Sequence, residues 1–195
     1  LIILQDALDG SPLLTGASQA GALRHYLLQR EKGYRVADNR EKHNKTSTTK
    51  LFGEALDDDR GEQSRIIIHD ALGKASKSEE ELKAVQLGIR DGVKIDGKYR
   101  TAEDGALFNV QVWPEGTSFD LRLELYICED DDCDDLTEAF AAALKALQDG
   151  EIPLGARKNR GYGRCKVADW QVYEYDLSQP NNFLAWVKND TDNIK

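Results

Sequence analysis

The 195 residues contain no methionine, three cysteines, three histidines and four prolines. Cys128, Cys133 and Cys165 are odd in number and form no CxxC pair, while His25, His43 and His69 are scattered, so no zinc-site spacing arises. A reducing cytoplasm is the simplest home for such a chain. No run of about eighteen apolar residues occurs, which excludes a helical membrane span, and no signal peptide is visible. A chain that opens on Leu1 and has no Met predicts a fragment, a processed piece or a sequence that has lost its start. Positive charge is also scarce: 26 Lys and Arg stand against 35 Asp and Glu, a formal net charge of −9. That balance argues against a nonspecific nucleic-acid binder with a broad basic face, and leaves room for a specialised groove on an acidic body. What is present, 40% hydrophobic and 31% charged residues, suffices for one domain with a sizeable core.

Against the acidic background, one stretch stands out. Between Gly155 and Val167 lie Arg157, Lys158, Arg160, Arg164 and Lys166, with no acid among them. Gly155, Gly161 and Gly163 permit turns and close approach of a ligand to the backbone. Guanidinium forks and backbone N–H groups suit phosphates, and Tyr162 suits stacking on a base. The composition fits RNA or nucleotide binding; it also fits a flexible hairpin with solvated charges.

The rest of the chain supplies the frame. Thr15 or Ser18 caps a predicted helix running to about Glu31, with Ala22, Leu23, Tyr26, Leu27 and Arg30 at helical spacing. Residues 33–50 are polar and predict an exposed insertion. Asp57 to Glu62 is an acidic turn; its three adjacent aspartates invite a divalent-metal site but fit a surface turn better. Arg65 to His69 predicts a central strand buried on both faces, with His69 at a sheet rim. Residues 74–107 are charged and predict an inserted excursion with a hairpin around Asp96 and Gly97. Ala106 to Trp113 regains strand character. Phe119, Leu121, Leu123, Leu125 and Ile127 alternate with polar residues, the signature of one half-buried antiparallel strand. Asp135 with Glu138 predicts a capping box for a helix whose stripe is Leu136, Phe140, Ala143, Leu144 and Leu147, stopped by Gly150. A strand is expected from the glycine loop through Val167 toward Tyr175, then a loosely packed tail. With one strand added before Leu1, the order is the α+β, ferredoxin-like (RRM-like) βαββαβ pattern in a single domain, 1–195, with insertions at about 33–50 and 74–107.

The helix from Leu136 to Gly150, followed by Gly155, Ala156, Arg157, Lys158, Asn159, Arg160, Gly161, Tyr162 and Gly163, resembles the C-terminal signature of the RAMP superfamily, the repeat-associated proteins of CRISPR effector complexes. Its usual form is Gly-Gly-(Arg/Lys)-(Lys/Ser/Thr)-x-Arg-Gly-(Phe/Tyr)-Gly; Ala156 departs from it. Ser11 to Arg24 is similar to the family's Pro-Gly-Ser-Ser-Leu-Lys-Gly-x-Leu-Arg element, though Thr15 and Ala20 stand where Pro and Lys are usual. Leu51, Phe52 and Gly53, followed by Ser64 to Ala71, resemble the next strand. Ile89 to Asp96, Thr101 to Phe108 and Pro114 to Phe119 resemble the backbone subunit of type III complexes.

The resemblance implies a subunit that polymerises along a guide crRNA, holding its backbone between the first helix (Ser18, Gln19, Arg24) and the glycine loop (Arg157, Lys158, Arg160, Tyr162). A thumb, roughly Gly88 to Leu107 and including Val93 and Ile95, would interrupt the duplex with target RNA. Other subunits of the complex are the implied partners, with no membrane. Helix N-termini favour phosphate, which gives the first of these sites a physical basis; a plain capped helix is the alternative. Two rival functions remain: a guide-processing endoribonuclease using His25 as general acid–base, and a generic single-stranded RNA-binding module. The resemblance places the aspartate for cleavage of target RNA, which would use Mg or Mn, immediately before Leu1; Asp6 and Asp9 are poor substitutes.

Overall fold

Leucines and alanines at helical spacing decide where this chain packs. The computed structural model describes residues 2–33, 46–54, 61–74 and 87–190. Helix α1, Gly16–Lys32, is capped by the Thr15 hydroxyl, which accepts from the Ser18 amide, and it buries Leu23 and Leu27. Helix α3, Cys133–Gln148, buries Leu136, Ala143, Ala146 and Leu147 on one stripe. Its cap is Asp132 rather than Asp135: the Asp132 side chain accepts from the Asp135 amide. The Asp135 carboxylate is engaged elsewhere, by Lys50 Nζ at 2.7 Å and Ser47 Oγ at 2.6 Å. Those two bonds hold the carboxyl below the ordinary aspartate range.

Lys50 and Ser47 belong to a helix that polar composition concealed. Helix α2, Ser47–Phe52, is closed by a reciprocal Thr46–Thr49 capping box, and Thr48, Thr49 and Leu51 are buried. The polar insertion expected over 33–50 therefore ends earlier than its composition indicates; residues 34–45 lie outside the described residues, as do 55–60 with the acidic run and 75–86 of the second insertion. Leu51 and Phe52 close a helix rather than open a strand. The main core joins Leu23, Leu27, Leu51, Leu136, Ala143, Leu147 and Ile152 with Ile66, and each fully buried leucine contributes roughly 1.5–3 kcal/mol.

The described strands form three small antiparallel sheets. Strands β1 (Leu13–Leu14), β3 (Ala71–Lys74) and β6 (Ser118–Phe119) make one, in the order β1-β3-β6; β2 (Ile66–Ile68) pairs with β7 (Leu123–Leu125) in the second; β4 (Gly88–Ile95) pairs with β5 (Ala102–Val112) in the third. The alternating run from Phe119 to Ile127 is thus two strands in two sheets, with Phe119 paired to Gly73 and Leu125 to Ile66. Strand β2 is not buried on both faces: Ile66 is interior but Ile67 is 44% exposed. No strand forms between the glycine loop and Tyr175. Cys165, Val167 and Trp170 pack on the core from an irregular segment. The tail forms helix α4, Pro180–Lys188, with Pro180 in its first turn and Asn189 in the left-handed conformation at its end. Trp186 Nε1 donates to Glu124 Oε2 at 3.2 Å and ties this helix to β7, but none of its residues is buried, so the tail packs as loosely as expected. No helix among the described residues is long and apolar enough to cross a membrane.

Candidate nucleic-acid interface

The glycine loop is pinned at its base and open at its tip. The Leu154 amide donates to Gly163 O at 2.9 Å, closing the loop, and Ile152 is buried beneath it. Gly163 has φ near +74°, and a Cβ there would lie 1.8 Å from Leu154 O, so the closure requires glycine. Above the closure, Lys158–Arg160 form one 3-10 turn, flanked by Arg157 and Gly161, both in the left-handed region. Lys158, Arg160, Arg164 and Lys166 are exposed, while Arg157 and Tyr162 are half-buried. The thiol of Cys165, below the loop, is pushed up by burial, which marks it as a packing group.

Arg157 is half-buried because its guanidinium lies over the ring of Phe108, 4.3 Å from the centroid. That contact brings the loop to the β4–β5 hairpin. An open groove of about 550 Å³ runs between them, lined by Val93, Lys94, Ile95, Ala106, Leu107, Phe108, Arg157 and Arg160. Two of the predicted loop residues and both predicted hairpin residues therefore share one groove. Its apolar side is solvent-exposed: Val93 at 40%, Ile95 at 55% and Leu107 at 72%. The hairpin turns at residues 97–99, close to the expected position, and β4 and β5 make their extensive contacts with each other.

The start of α1 is built differently. Ser18 is exposed, and its Oγ lies 2.9 Å from Thr15 Oγ1. The Ser18 amide is taken by Thr15, and the Gly16 amide donates to Asp70 Oδ1 at 2.7 Å. Gln19 is 2% exposed, and its Nε2 donates to the carbonyls of His69 and Leu14 at 3.0 and 3.4 Å. Its side chain joins α1 to the end of β2 and is out of reach of a surface ligand. Arg24 is half-buried, with Nε buried and without a hydrogen-bond partner. None of Ser18, Gln19 and Arg24 lines the groove beside the loop.

His69 sits at the rim of its sheet, with Nε2 2.7 Å from Glu124 Oε1. Glu124 also accepts from Arg122 Nε at 2.8 Å and from Trp186. Burial pushes the Glu124 carboxyl up, but the bonds from His69, Trp186 and Arg122 outweigh it and hold the carboxyl below the ordinary glutamate range. His25 is exposed on α1. Asp6 Oδ1 accepts from the Leu8 amide and Asp9 Oδ1 from the Ser11 amide, each at 2.8 Å, so both acids serve a turn. Among the described residues no group of three His, Cys, Asp or Glu side chains converges to hold a metal ion.

Residues 2–166 match the RAMP superfamily. The chain belongs to the RAMP superfamily. Among solved structures, this RAMP chain is similar to a chain of a Type IV-B CRISPR complex, with a TM-score of 0.57 and 19% identity over 94% of this chain and 83% of the other. At that identity the likeness is one of fold. No curated protein matches. Phe108 and Asp70 carry contacts that the pattern of charges alone does not reveal. Once the hairpin register sets Gly92 opposite Phe108, the aromatic becomes visible as a candidate for the loop.

Proposed function

We propose that this RAMP protein is a guide-RNA-binding backbone subunit of a CRISPR effector complex, with the guide's phosphates on the glycine loop and base pairing in the guide reading the target. The observation that carries it is the acid-free loop at 157–166, whose Arg157 and Arg160 face an exposed apolar hairpin across one groove. Cations beside apolar surface suit a polymer of phosphates and bases. Superfamily membership and the fold shared with a CRISPR complex chain support the same reading. Helix α1, the antiparallel β2–β7 pair and helix α3 come in that order along the chain, with α2 and β3 to β6 between them, and a ferredoxin-like order with insertions would have the same interior.

The test is guide RNA binding by the Arg157→Ala, Lys158→Ala, Arg160→Ala triple variant across a salt series. Affinity should fall at least tenfold, and the salt slope should drop by about 2, since each single-strand phosphate left without its cation lowers it by roughly 0.7. Unchanged affinity and slope would sink the assignment.

Two assemblies compete as the setting. Residues 89–119 resemble the type III backbone subunit, which favours target-RNA pairing with the hairpin as a thumb; the fold shared with a Type IV-B chain favours the other. Binding of complementary target RNA by the guide-loaded assembly, interrupted at regular intervals in wild type but not when residues 91–102 are replaced by a Gly-Ser bridge, supports the type III reading. An assembly that binds guide but no complementary RNA overturns it.

A further inference from the structure

The hairpin is anchored to the body at its base. Val110 is 4% exposed, the Ile3 amide donates to Gln111 Oε1 at 3.1 Å, and the Trp113 ring lies 4.7 Å from that of Phe119. Toward the turn, Val93, Ile95, Tyr99 and Leu107 are exposed. A two-stranded hairpin held only at its base is marginally stable and free to swing. Phe108 sits just beyond the anchored base, directly opposite Gly92. It is covered on two sides. A Cβ on Gly92 would come within 2.4 Å of the Phe108 ring, so the missing side chain is what lets the ring lie across the neighbouring strand. The Arg157 guanidinium lies over the same ring from the glycine loop, and Arg157 is held there by a left-handed backbone, φ 59°. A β-carbon on the strand or a shorter side chain on the loop would break this stack.

We propose that Arg157 and Phe108 are positioning residues: their stack, seated on Gly92, fixes the angle of the hairpin relative to the glycine loop before RNA arrives. The stack is the second anchor that the base alone does not supply. An aromatic ring and a guanidinium leave the in-plane N–H donors of Arg157 unobstructed, so the residue that holds the hairpin can still face a phosphate. Hairpin position and loop occupancy are thereby linked: whatever moves Arg157 moves Phe108. The link to RNA rests on the proposed guide binding; the link between hairpin and loop does not.

Millisecond hydrogen exchange on the whole chain without RNA tests the second anchor. In Phe108→Leu and in Arg157→Gln, amides of β4 and β5 on the turn side of the Gly92–Phe108 pair should exchange roughly two- to fivefold faster, the range expected for one exposed cation–π contact. Amides of α3 should be unchanged, and Phe108→Tyr, which keeps the ring, should match wild type. The double variant should be no faster than either single one, because both remove one interaction. Hairpin exchange unchanged in Arg157→Gln, or additive effects in the double variant, overturns the proposal. A second arm measures guide RNA. Phe108→Leu removes no charge, so it should lower affinity several-fold with the salt slope intact; wild-type affinity in that variant overturns the link to RNA. If the wild-type chain binds no guide at all, the functional reading fails, while the exchange result still decides the anchor.

Discussion

The helical half of the molecule and the hairpin differ in how they use apolar residues. Around α1, α2 and α3, Leu23, Leu27, Leu51, Leu136 and Leu147 are all at most 3% exposed. On the hairpin, Ile89, Ile95 and Leu107 are each more than half exposed. Residues of the same kind serve cohesion in one region and remain in water in the other. The hydrophobic effect has therefore been committed to the helices and the β2–β7 pair, while the hairpin keeps an apolar surface in water.

Breaking the cohesive side should have the largest effect. Leu136→Ala removes a side chain that is 1% exposed at the centre of the core, and should lower unfolding stability by about 2–5 kcal/mol in denaturant titration. Ile95→Ala, at 55% exposure, should change it by less than roughly 0.5 kcal/mol. Equal losses at the two positions would erase the contrast.

The glycines of the loop divide the same way. Gly163→Ala must place its Cβ against Leu154 O in a left-handed backbone, whereas Gly161 has nothing within 4 Å of its notional Cβ. Thermal melts should show a loss of about 2–3 kcal/mol for Gly163→Ala and roughly 1 kcal/mol for Gly161→Ala, where only the backbone preference opposes alanine. Next in size is Asp132→Ala, which removes the cap of α3 and should cost about 1 kcal/mol by the same assay.

The smallest effect concerns acid. The folded-state pKa of Glu124 lies below its ordinary value of 4.5, so its contribution is present above that value and is lost as pH falls through the depressed one. Trp186 fluorescence should report release of α4 from β7 in that window, below about pH 4.5. In Glu124→Gln the acid transition should vanish; a transition that persists would show that another carboxylate holds the helix.

Period made α1 and α3 legible, α3 through a continuous apolar stripe and α1 through Leu23 and Leu27 between the Thr15 cap and a glycine, whereas the cap of α3 falls on Asp132, three residues before the Asp135 that the sequence suggests. The hairpin was legible from Asp96 and Gly97 between charged, alternating runs. Helix α2 was not, since Thr48 and Thr49 look like surface residues until a capping box and tertiary packing bury them. The alternating run at 119–127 has the right period for one strand, but period does not say which partner each half takes, and β3 and β2 claim different halves. In the candidate site, the cations were visible by the absence of acids around them. Their association with Phe108 was not, because it depends on hairpin register across 49 positions of sequence (Phe108 to Arg157). Gln19 was misleading for the opposite reason: a polar residue at a helix start suggests a surface ligand, yet two backbone carbonyls needed its amide.

Asp70 gives the start of α1 a different electrical character from the loop. Its carboxylate rests on the Gly16 amide, so the positive end of the helix dipole arrives already neutralised by the chain's own anion. A polyanion sliding over this surface would be turned away there and welcomed at 157–166, and the contrast should fade as salt rises. Asp70→Asn would keep an acceptor on Gly16 while deleting the charge, converting a repelling spot into a neutral one.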